Sequence, residues 1–318
     1  SVMKSYTKEQ FVKDVIAGII VAIIALPLSI ALALASGVTP EKGIYTAITA
    51  GFVISFLGGS RVQIAGPTAA FATIVAGIVA KNGMDGLIIA TLLAGVILIL
   101  MGFLRLGNLI KFIPYTITTG FTSGIAVTIF IGQIKDFLGL TIVSEEPLIE
   151  TMDKLKAVFQ FISTTNVQAL LVGVISLLIL ILWQYLPGFC KKIPPSLIAV
   201  LVGSAMVALL NMNVNTIGDL YEISNKLPSI SLPAFSLKTV QNVLPDAFTI
   251  AILAAIESLL SCVVADSMVN SRHRSNMELI AQGAGNITSA LFGGIPATGA
   301  IARTAANVKN GGRTPIAG

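Results

Sequence analysis

The chain has 318 residues, of which 55% are hydrophobic and 11% charged, with a mean hydropathy of +0.90. A soluble protein carries about 25% charged residues, and so little charge cannot coat a water-facing surface of this size, which excludes soluble domains, disordered chains, disulfide scaffolds and coiled coils. The net charge of +5 fits basic cytoplasmic loops of a membrane protein and is not read as a sign of nucleic-acid binding.

Uncharged runs organise the chain. They cover residues 15–40, 43–60, 62–80, 86–104, 112–134, 157–190 and 193–218, and then 279–302. The run 247–265 carries a single charge, Glu257. A spanning helix needs about 20 mostly apolar residues, so the pattern predicts about nine or ten membrane segments, some of them broken. The first run is too long for a removable signal peptide. Lys4, Lys8 and Lys13 precede it and place the N-terminus in the cytoplasm of a multi-pass inner-membrane protein. An alternating path then puts Arg61, Arg105 with Lys111, Lys191 with Lys192, Arg272 with Arg274, and Lys309 with Arg313 inside. The acidic stretch with Asp136, Glu145, Glu146, Glu150 and Asp153 falls outside, as does the mixed region 219–246.

In the first span, Pro27 predicts a kink that frees a carbonyl. Leu28 and Leu32 share a face of that helix, either as an apolar wall of a site or as ordinary lipid or core leucines. The third run opens Val62-Gln63-Ile64-Ala65-Gly66-Pro67-Thr68-Ala69-Ala70. This predicts an extended piece and then a helix starting at Pro67 or Thr68, because proline is at home in a first helical turn. The last run closes Gly293-Gly294-Ile295-Pro296-Ala297-Thr298-Gly299-Ala300-Ile301-Ala302. It predicts irregular backbone followed by a helix through Arg303 to about Lys309. Such backbone survives at membrane depth only inside protein or along a cavity. Each break lies about 40 residues after a distinctive point of an earlier span, Pro27 or Glu257. Paired interrupted segments of this kind point to an inverted-repeat transporter.

The first turn of a helix exposes unpaired N–H groups and a partial positive charge. Two such starts meeting at mid-bilayer make an anion site, and small residues let the anion approach. Thr68, Ala69 and Ala70 supply one start; Gly299, Ala300 and Ile301 supply the other. The same small residues also suit close helix packing. Arg303 either adds long-range attraction for the anion, forms a structural ion pair or snorkels to the cytoplasmic face. Glu257 binds a cation, pairs with a base or takes up a proton. Ser261, one turn on, shares its face and either completes a cation site or holds the carboxyl. Asp266 reads as structural or interfacial. His273 reads as a solvated loop histidine, and Cys190 and Cys262 match no metal spacing. Walker A, Gly-x-Ser-x-Gly and HExxH motifs are missing from the chain, so it is not read as an enzyme.

At these residues the sequence resembles the SulP/SLC26 family of anion transporters. The resemblance is carried by residues 14–19 with 26–33, by residues 57–69, and above all by residues 276–286 and 292–304. It implies an all-α fold of fourteen segments as two inverted seven-segment repeats, with a core domain rocking against a gate domain, usually as a homodimer. It implies an anion held by Thr68, Ala69 and Ala70 with Gly299, Ala300 and Ile301, near Leu28 and Leu32. Glu257 falls where some bacterial relatives carry an acid linked to sodium or proton coupling, Ser261 on a nearby hydroxyl position, and Arg303 on a common basic position. The first repeat is expected over about 1–240 and an incomplete second over about 241–318. The family's last four gate segments and STAS domain lie beyond Gly318, so a truncated chain is expected. The expected function is secondary transport of a small inorganic or carboxylate anion, sulfate or bicarbonate first and dicarboxylates next. It runs by sodium or proton symport or by exchange, with no other cofactor. An anion channel or a nucleobase carrier of the same architecture is the alternative.

Overall fold

The computed structural model describes residues 6–112, 115–144, 148, 150–186, 193–222 and 227–318. Lys4, Glu145, Glu146, Cys190, Lys191 and Lys192 lie outside the described residues, as does the side chain of Lys111.

Two compact units divide the chain, one of residues 1–118 with 223–318 and the other of residues 119–222. The first unit opens with α1 (Lys8–Ala35), whose N-cap Thr7 accepts a bond from the Gln10 amide and so satisfies an otherwise orphaned donor. Pro27 lies within this helix. Next, α2 (Pro40–Leu57) starts on a proline, and β1 (Ala65–Gly66) follows. The element α3 (Ala72–Phe103) joins two predicted segments through Gly83 at φ 67°, a conformation glycine adopts without a Cβ penalty. Its two helices therefore meet in a sharp kink.

The unit resumes with α9 (Leu237–Val269), α10 (Ser275–Leu291), β2 (Thr298–Gly299) and α11 (Ile301–Lys309). Its core joins α3, α9 and α10 through Ile89, Leu98, Ile250, Leu259 and Leu279. α10 lies close on α3 because Gly95 faces Gly283: a Cβ on Gly95 would stand 2.7 Å from the Gly283 carbonyl oxygen. Small residues thus replace side-chain interdigitation with backbone contact.

Most of α4 (Tyr115–Leu138) belongs to the second unit. There follow the short α5 (Thr151–Gln160), α6 (Val167–Leu182), α7 (Pro195–Leu209) and the single turn α8 (Ile217–Leu220). At the end of the run 193–218, Thr216 and Asp219 form a capping box on α8, and the Thr216 hydroxyl and amide hold the Asp219 carboxyl below its ordinary range. Among the described residues, Lys8–Ala35, Ala69–Phe103, Val167–Tyr185 and Leu237–Val269 are long and apolar enough to cross a membrane. Their exposed faces carry Leu26, Leu100, Leu178 and Ile252, a surface that lipid and not water tolerates.

Candidate functional site

Both sequence breaks exist where expected. β1 leads through Pro67 to Thr68, which caps a single 3-10 turn at Ala69–Phe71 that continues into α3. β2 leads to Ala300, the N-cap of α11, which ends at Lys309. The two extended pieces pair antiparallel, with Ala65 opposite Gly299 and Gly66 opposite Thr298. The two-stranded sheet thus joins the segments that lead into the two helix starts, with Thr68, Ala69 and Ala70 leaving it at one end and Ala300 and Ile301 at the other. Strands so short hold no independent stability, so side chains must fix them.

Those side chains come from the flanking helices. Asn286 of α10 donates to the Ala297 carbonyl at 2.8 Å and accepts from the Ala297 amide at 2.9 Å. Thr304 of α11 accepts from the Ile64 amide at 3.0 Å, and Asn307 donates to the Val62 carbonyl at 2.9 Å. Thr298 donates to the Ala254 carbonyl on α9 at 2.9 Å. Asn286, Thr304 and Thr298 are at most 1% exposed, which raises the worth of every bond they make. Asn286 lies within the most family-specific stretch, but its bracketing of Ala297 has no local signature.

The Thr68 hydroxyl donates to Glu257 Oε2 at 2.9 Å. The structure thus joins the candidate anion residue of the first break directly to the candidate coupling residue of α9. Ser261 shares the Glu257 face but sends its own bond to α11, to Thr304 Oγ1 at 3.5 Å. These hydroxyl and carboxylate oxygens are the hard donors a sodium ion prefers. Leu28 is exposed and Leu32 half-buried on α1.

Arg303 corrects the snorkelling expectation. It is 1% exposed, and its Nη2 donates to Ser29 Oγ of α1 at 3.3 Å and to the Pro67 carbonyl at 3.4 Å. Its guanidinium lies against Gly66, where a Cβ would collide with Nη1. Among the described residues no carboxylate pairs with it, and Nε and Nη1 have no partner. The guanidinium is thus buried with no counter-ion among the described residues.

His273 is corrected too. Its side chain is 9% exposed, with Nδ1 2.7 Å from Asp266 Oδ2 and Nε2 3.0 Å from Ser275 Oγ. The loop is not solvated at that point because Asp266 also accepts the His273 amide and the Ser271 hydroxyl, which closes the turn between α9 and α10. Asp266 is structural, as expected.

An all-helical membrane unit with two interrupted helices whose extended starts pair defines a transporter fold. The Sulfate permease family matches residues 11–318, and the chain belongs to that family. It is 45% identical over 317 residues to YvdB of Bacillus subtilis (strain 168), named provisionally as a sulfate transporter, with 99% of this chain and 59% of that protein covered. It is 34% identical to the bicarbonate transporter BicA of Picosynechococcus, with 96% of this chain and 55% of that protein covered. The chain thus spans little more than half the length of these relatives. The solved transmembrane domain of a cyanobacterium bicarbonate transporter BicA superposes with a TM-score of 0.85 at 31% identity, covering 98% of this chain and 80% of that one. The fold is the inverted-repeat fold of such transmembrane domains, and the relatives are named as transporters, not enzymes.

Proposed function

We propose that this chain forms the substrate-carrying part of a secondary transporter for a small oxyanion, sulfate or bicarbonate before dicarboxylates. It would work by alternating access as a homodimer in the inner membrane, with its N-terminus in the cytoplasm. Family membership supports an anion, and the paired helix starts support where it sits. Thr68, Ala69 and Ala70 with Gly299, Ala300 and Ile301 would offer their amides and the Thr68 hydroxyl. Leu28 and Leu32 would wall the site, and Arg303 would hold it at positive potential.

The observation that carries a coupled mechanism is the Thr68–Glu257 hydrogen bond. A hydroxyl has one proton to donate. While Glu257 is a free carboxylate it accepts that hydrogen bond, and its negative charge repels an anion. A sodium ion on Glu257 and Ser261, or a proton on Glu257, would neutralise the carboxylate and release the hydroxyl towards the anion. Cation and anion would thereby raise each other's affinity, as linkage requires.

The test is uptake of labelled sulfate, bicarbonate and succinate into proteoliposomes with sodium and pH gradients varied. The reading expects saturable uptake of an oxyanion that rises with inward sodium or proton gradients and loses that dependence in Glu257→Gln. Gradient-dependent uptake that survives Glu257→Gln, or unitary currents in place of saturable uptake, would overturn it.

A further inference from the structure

The side chain of Gln63 lies against Gly299. It is buried, with the residue 5% exposed. Its Nε2 donates to Glu278 Oε1 at 2.7 Å, and its Oε1 lies 2.9 Å from Cys262 Sγ, which donates. The two ends of the amide are thus told apart. Turning it over would set its oxygen against a carboxylate oxygen and its NH2 against a thiol that no longer has an acceptor.

Glu278 is itself tied down by hydrogen bonds. It is fully buried, and it accepts from the amides of Gly59 at 2.9 Å and Ser60 at 3.2 Å and from Gln282 Nε2 at 2.9 Å. Four N–H donors satisfy this carboxylate, which suits a charge held without a cation. The chain of contacts therefore runs from α10, through Glu278, to Gln63.

It ends on Gly299. A Cβ built on that residue would stand 2.6 Å from Gln63 Cδ and closer still to Nε2. Gly299 is not among the glycines of positive φ, so its backbone conformation is open to any residue. The flat amide lying on its Cα is what requires glycine there. The first break shows the reciprocal arrangement: Gly66 is covered by the guanidinium of Arg303 from the second break. Each extended glycine is thus roofed by a polar head from the other half of the chain.

We propose that Gln63 is a positioning residue for the anion site, locked by Glu278 and Cys262, and that it sets the depth at which Gly299, Ala300 and Ile301 present their amides. This rests on the functional reading above. Hydrogen bonds weaken steeply with distance and angle, so a small shift of β2 changes anion binding more than it changes the rate of the conformational cycle. Gln63 acts through Gly299 and does not itself touch the anion.

The test is a reciprocal rescue in the full-length protein in proteoliposomes. Gly299→Ala should raise the KM for anion uptake by about tenfold, with Vmax within about twofold, because it impairs binding selectively. In a Gln63→Ala background the added methyl has room, and Gly299→Ala should then change KM by less than about twofold, a non-additivity expected only of residues in contact. Additive effects of the two changes would overturn the proposal. Gln63→Met keeps the volume and removes both hydrogen bonds, which covers the case in which Gln63→Ala fails to fold. Amide hydrogen exchange over residues 298–304 gives a readout independent of transport. It should be faster in Gln63→Met than in wild type, and unchanged exchange would refute the positioning role. If the wild-type protein takes up none of the anions, the functional reading fails, while the exchange rates still decide whether Gln63 holds β2.

Discussion

In the first break, Gly66 and Pro67 lead to Thr68, one 3-10 turn and then the long α3. In the second, Gly299 and Ala300 lead straight into α11, nine residues long. The backbones match closely enough to pair as strands, yet what stands behind them differs. Gly66 rests on the Arg303 guanidinium, and Thr68 donates to a carboxylate. Gly299 rests on the neutral Gln63 amide, and Thr298 donates to a backbone carbonyl. One helix start therefore has a guanidinium and a carboxylate in direct contact. The other meets the neutral Gln63 amide directly and a carboxylate, that of Glu278, only behind it. A site that must both respond and stay shaped gains from that division, since a preorganised wall costs no reorganisation when the ligand arrives.

Three substitutions would break or sharpen this contrast. The largest effect is expected of Asn286→Leu, which strips both bonds from Ala297 in a fully buried place. Leaving that N–H and C=O unpaired should cost about 3 kcal/mol, read as a lowered midpoint of thermal unfolding in detergent. A loss below about 1 kcal/mol would show that the second break is not held by its dipoles. Thr304→Val removes the acceptor for the Ile64 amide and should cost about 1–2 kcal/mol in the same measurement. It loosens β1 and takes away the acceptor of the Ser261 hydroxyl as well. Arg303→Met is expected to do least to stability. A buried ion replaced by an apolar side chain of similar volume is often neutral or stabilising, so the unfolding midpoint should hold or rise. Anion uptake should nevertheless fall at least about tenfold, the worth of roughly 1.4 kcal/mol in binding. A lowered midpoint with unchanged uptake would make Arg303 a packing residue and erase the electrostatic difference between the breaks.

The breaks themselves were legible because proline and glycine act locally. Gly293-Gly294-Ile295-Pro296 cannot continue a helix, and a new helix ending at Lys309 follows where expected. The kink at Gly83 lies in the polar gap between two apolar runs and was legible as a segment boundary. The strand pairing was not legible, since two residues are too few to show a period of two. Ser261 marks the limit of periodicity. Spacing placed it correctly on the face of Glu257, but its hydroxyl bonds to Thr304 on α11. Arg303 was legible as an anomaly, an Arg closing an apolar run, but not as a residue buried against Ser29, 274 positions earlier. His273 failed for a related reason: a basic local sequence says nothing of an Asp266 folded back over the loop.

By itself, the sequence determined that this is a membrane protein, where its helices are interrupted and which small residues open the resumed helices. These are consequences of hydropathy and of backbone chemistry, which act over one or two turns. Only the tertiary structure decided that the two interruptions face each other as a sheet, that Thr68 meets Glu257, and that Gln63 and Arg303 each cover the other half's glycine. Those contacts join residues that the chain separates by about 190 to 240 positions, and their geometry is set by how α3, α9 and α10 pack, a property of the whole unit that no local pattern encodes.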